Sequence, residues 1–225
     1  MRGGLCALLL LCAPFLAAQE LTPEELERWF EDDSRTQPYD FDVNSGELEF
    51  LAAMPDKRVP HSRNGLRITV SSLADGWVEQ AQCHENLDPV PLAEVVYRYR
   101  EMRDLRVVST TGIERAWVEG QSVQMENISH GAVLCVAAAA RLLRREGEEY
   151  VLRNGPFQRR FLDGYFPLRV SLTLEYPAER LRVASIDPPP QPGFSVQQAS
   201  GRITLEALFE GRLYTEVRFR SAVQP

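Results

Sequence analysis

Two thiols and two imidazoles fall on short stretches that could meet in a folded chain: Cys83 beside His84, and His130 shortly before Cys135. A Cys2His2 set suits zinc, and with Met125 nearby a soft metal such as copper also matches the donor types. Two features oppose a metal centre. Neighbouring residues on a strand point to opposite faces, so Cys83 and His84 cannot both aim inward without a bulge. The spacing also differs from the paired C-x2-C and H-x3-H ligands of structural zinc sites. The competing chemistry is a Cys83–Cys135 disulfide. The chain opens Met1-Arg2-Gly3-Gly4, runs apolar from Leu5 to Leu16 and reaches Ala17-Ala18 before Gln19-Glu20, which is the pattern of a secretory signal peptide over residues 1–18. Cys6 and Cys12 lie inside that segment, leaving one pair of cysteines in an exported chain. The expectation is a disulfide, no bound metal and no cofactor.

Other chemistry is sparse. His61 stands in Pro60-His61-Ser62-Arg63-Asn64, which reads as an exposed turn. The sequence contains no G-x-S-x-G elbow, phosphate-binding loop or G-x-G-x-x-G. Carboxylates are plentiful, but no pair is marked for glycoside hydrolysis. The best binding segment is Gly155 to Phe166, where Arg159 and Arg160 stand among Phe157, Phe161, Tyr165 and Phe166. Arginines beside aromatic rings can grip an anionic polymer or an acidic partner segment. The same composition suits an interdomain connector with buried rings and solvated arginines, and the connector is the expected role.

These residues need elements to position them. Thr22 as N-cap, Pro23 at N1 and Glu25 at N3 start a short amphipathic helix, with Leu21 and Leu26 as its hydrophobic staple. Leu26, Trp29 and Phe30 share one face of it, which would dock on the protein's own β domain or on a partner; self-docking is expected. Residues 19–46 are this helix and a linker. From Glu47 the period becomes two, as in half-buried strands. Leu66 and Ile68 share a face, and Trp77, Ala81 and Cys83 mark the expected buried face of the next strand. Residues 132–145 suit either a central strand or a buried helix, and the β surroundings select the strand. Glu146 to Glu149 is a turn from which Tyr150 to Arg153 pairs back. The alternation of Ile203, Leu205, Ala207 and Phe209 with that of Leu213, Thr215, Val217 and Phe219 predicts a hairpin through Glu210-Gly211-Arg212. The expected fold is all-β: two consecutive antiparallel β-sandwich-like (Ig-like) domains, 47–154 with the disulfide and 167–225, joined by the connector 155–166.

Charge narrows the partners. The net charge is −7, and Gln19 to Arg100 carries 17 acids against 8 bases, so no dominant basic face serves nucleic acid. No second apolar run approaches membrane-spanning length. The expected function is that of an exported soluble protein, periplasmic or secreted, acting without catalysis by binding or assembly with a protein or polymer of the cell envelope. The rivals are a hydrolase of an envelope polymer and a metal carrier using Cys83, His84, His130 and Cys135.

Overall fold

The computed structural model describes residues 44–162 and 164–222, so residues 1–18, the expected helix with Trp29 and Phe30, and most of the linker lie outside the described residues. In chain order the elements are β1 (Glu49–Phe50), β2 (His61–Arg67), α1 (Ser72–Asp75), β3 (Trp77–Leu87), β4 (Leu92–Val96), β5 (Met102–Glu119), β6 (Ser122–Arg141) and β7 (Leu143–Glu146). They continue with β8 (Glu149–Phe157), β9 (Arg160–Phe161), β10 (Gly164–Tyr165), β11 (Leu168–Glu175), β12 (Leu181–Asp187), β13 (Phe194–Ala199), β14 (Arg202–Glu210) and β15 (Leu213–Ser221).

The large sheet runs β14-β11-β2-β3-β6, with β1 and β13 along the free side of β14. β3 and β4 follow one another along one side of β6, and β5 covers the other. The small sheet is β12-β15-β8-β7. β2 and β11 pair in parallel, in contrast to their antiparallel neighbours.

Alternation explains the packing. Leu172 and Leu174 of β11 stand opposite Leu205 and Ile203 of β14, all buried. The small sheet meets them with Leu152, Leu181, Val217 and Phe219, and both sheets contribute to one apolar cluster, as in a sandwich. A second cluster, including Tyr97, Val123, Met125 and Leu134, lies where β4 and β5 flank β6. Among the described residues no helix is long and apolar enough to cross a membrane.

Three expectations change. Strands from both sides of 155–166 share both sheets, since β2 pairs with β11 and β8 with β15. That segment therefore carries the chain from the small sheet to the large one rather than between separate sandwiches, and the described residues fall within one unit. β14 and β15 do not form a hairpin, because they lie in different sheets. Alternation cannot separate strands that pair edge to edge from strands that face each other, since both bury every second residue. Gly211 makes the crossing possible: its φ is +84, and a Cβ there would strike the carbonyl oxygen of Glu47. Lastly, Gly112, a residue type that ordinarily punctuates strands, does not end one here: it sits at φ +66 in a bulge within the 18-residue β5. The strand reading of 132–141 holds, and Tyr150 pairs back with Arg145 as expected.

Candidate functional site

β3 turns Val78, Gln80 and Gln82 inward and leaves Glu79 and Ala81 exposed. This is the opposite of the face expected from Trp77, Ala81 and Cys83. Hydrophobicity selected the wrong side because the interior side of this strand carries glutamines. Cys83, on the outer face, stands opposite Cys135 of β6 and is bonded to it, with an S–S distance of 2.11 Å.

The polar row continues onto β2, where Asn64 and Ser62 stand opposite Gln82 and His84. The β2 pair satisfies itself: Asn64 Nδ2 donates to the Ser62 carbonyl at 3.0 Å and to the Ser171 carbonyl at 3.2 Å. Gln82 does not. It is 5% exposed, yet its Oε1 has no hydrogen-bond partner. The same holds for the hydroxyl of Tyr97, 6% exposed, and for Nε2 of His84. Tyr99 donates its hydroxyl proton to Asn154 Oδ1 at 2.7 Å, while Asn154 Nδ2 and the neighbouring Thr215 Oγ1 have no partners. β3 runs from Val78 in the first apolar cluster to Leu87 against the second, and this polar seam lies on the stretch between them.

A cleft of about 530 Å³ opens onto the seam. Gln82, His84, Tyr97 and Tyr99 line it beside the apolar Met125, Phe157 and Leu168. Its size suits a small molecule. A larger depression, about 630 Å³, lies over Gly65, Ala81 and Ala137. Its rim charges already pair with one another, as Arg67 does with Glu175 at 3.2 Å, so the seam-facing cleft is the better site.

Electrostatics keep the seam neutral. Burial lowers the His84 pKa from 6.5 to about 4, so its imidazole is uncharged at neutral pH. Burial likewise raises both tyrosines: Tyr97 strongly, with a further push from Tyr99, and Tyr99 up to about 12 despite the nearby Gln80 amide.

The structure gathers part of the sequence-derived set. His84, Phe157, Arg159 and Arg160 all line the cleft, as does Met125. Arg159 pairs with Asp88 at 2.7 Å and lies 5.7 Å over the Phe166 ring. Arg160 donates from Nε to the Leu162 carbonyl at 3.0 Å and stands 6.0 Å over Tyr165. Phe161 is 63% exposed, and neither it nor Tyr165 lines the cleft. The four-residue metal set does not converge on one face: the cysteine sulfurs are joined on the outer face, His84 faces the seam and His130 is exposed. Among the described residues no group of three or more His, Cys, Asp or Glu is arranged to hold a metal ion.

His61 is not in a turn but opens β2, half-buried. Its Nε2 lies 2.7 Å from Ser171 Oγ and its Nδ1 3.5 Å from Glu85 Oε2. This resembles a nucleophile triad in outline only. Ser171 donates its one hydroxyl proton to Glu206 Oε2 at 2.8 Å, so His61 must donate to Ser171 rather than accept from it. An imidazole in that tautomer does not activate the serine. Burial first, and Arg169 second, lower the His61 pKa. Glu210, raised by burial and then by Glu49, does not line the cleft.

Sequence reasoning missed Gln82, Tyr97 and Asp88. One signal was present: Gln80, Gln82 and His84 recur at the strand period, a polar stripe that must face either solvent or something that satisfies it. No protein-family model matches this chain, and no curated protein matches it.

Proposed function

We propose that the chain is an exported protein of the cell envelope that acts by binding, without catalysis, and takes its ligand into the cleft over the polar seam. One observation carries this reading. Three residues that each bury a neutral polar atom without a partner, Gln82, His84 and Tyr97, line a single cleft that also has apolar walls. Buried polar groups in native proteins almost always find a partner in protein, water or ligand, and each one left over calls for an explanation. Export is supported by the charged, apolar and small-residue order of residues 1–18 and by the Cys83–Cys135 bond. A binding rather than catalytic role is supported by the Ser171 hydroxyl, which donates its hydrogen bond to Glu206 and so offers no proton to His61.

The test is thermal unfolding of the mature chain with and without the low-molecular-weight fraction of an envelope extract. The melting temperature should rise by mass action. Replacing Arg159 and Arg160 with alanine should leave the unliganded stability within about 1 kcal/mol, because exposed or half-exposed ion pairs contribute little. The same double variant should blunt the rise, since both side chains line the cleft. A wild-type chain that no such fraction stabilises would remove the binding reading.

A further inference from the structure

We infer that the ligand of this cleft is an uncharged small molecule that sets a hydroxyl- or amide-bearing edge against Gln82, His84 and Tyr97 and an apolar side against Met125, Phe157 and Leu168. The inference rests on the binding reading above and adds the ligand's class to it.

The unpartnered atoms define the edge. Gln82 Oε1 accepts only, so it needs an N–H or O–H from the ligand. The Tyr97 hydroxyl can donate or accept, and neutral His84 Nε2 does one or the other according to its tautomer. A carboxylate against Gln82 Oε1 would set acceptor against acceptor. A cation would leave water for a seam with no anion among these three groups. The charged residues lining the cleft carry no net formal charge, being three acids, Glu85, Asp88 and Glu94, and three bases, Arg98, Arg159 and Arg160. All three acids are already engaged: Asp88 by Arg159 at 2.7 Å, Glu85 by Arg63 at 2.8 Å and Glu94 by the Gln124 amide at 2.6 Å. A neutral ligand with one polar edge and one apolar side meets every one of these conditions. A volume of about 530 Å³ sets its scale.

The experiment uses three fragment sets of matched size, namely neutral amides and alcohols, carboxylates, and amines. Each is titrated into the mature chain while the Gln82 side-chain amide and the His84 ring are followed by NMR. Neutral fragments should shift both signals, and Gln82→Met or Tyr97→Phe should each weaken that binding about tenfold, as loss of one buried hydrogen bond does. If carboxylates or amines shift these signals more strongly than neutral fragments, the ligand class is wrong while the cleft remains a binding site. If no set shifts them, the seam is satisfied by water alone, and the binding reading falls with the inference. The wild-type titrations decide between these outcomes without either variant.

Discussion

Replacing Cys83 and Cys135 with serine should lower the stability of the mature chain by about 4 kcal/mol in the chain-entropy model of disulfides. The bond closes a sequence separation of 52 residues, which is where most of that figure arises. Cys83 and Cys135 already stand opposite each other in the β3–β6 ladder, flanked by paired residues from Trp77 to His84. The folded arrangement should therefore survive without the bond, and the loss should come through a freer unfolded chain. Denaturant unfolding of the wild type and the double variant measures it. Thiol titration of the unfolded, exported chain without reductant should find no free thiol. Two free thiols would contradict the bond, and an unchanged unfolding midpoint would contradict its stabilising role.

Acid should weaken the fold through His84, the second large effect. With its folded pKa near 4 and its ordinary value at 6.5, the unfolded chain binds a proton here across that interval while the folded chain does not. Stability must then fall as pH drops from 6.5 to 4, by on the order of 3 kcal/mol if the whole shift is expressed, and this residue adds no pH dependence above that window. His61, also lowered, acts in the same direction. Glu175, lowered by Arg202 and then Arg67, contributes stability that is lost only at more acid pH, as its carboxylate is protonated. Subtracting the pH curve of His84→Gln isolates the histidine. The difference should grow from pH 7 to pH 4; parallel curves would mean that His84 is not buried neutral.

The inward sides of β11, β14 and β15 were legible in the sequence because one face of each is apolar and the other polar. The Cys83–Cys135 pairing was legible too, from the signal-like leader and the cysteine count. The partners of those strands were not. Leu205 and Val217 show the same alternation whether their strands pair or face each other, so a sheet crossing at Gly211 looks like a hairpin. A glycine such as Gly112 suggests a turn, yet a long strand uses such a residue to bend without ending. At the site, Phe157, Arg159, Arg160 and His84 were recognised as residues that could bind. The seam they border was not, because alternation assigns polar residues to solvent and Gln80 and Gln82 break that rule. A strand whose polar side is its buried side is what local consistency fails to foresee, and such conflicts tend to mark function.

That conflict can be measured without any ligand. Gln82→Met keeps side-chain length and removes a buried acceptor that has no partner. If the amide is kept for binding rather than folding, the variant should be more stable than the wild type in denaturant unfolding. The gain should be about 1 kcal/mol or more, the cost of burying such a group unsatisfied. A variant less stable than the wild type would contradict the account, since Gln82 would then be a structural partner in the core and the seam would need no ligand.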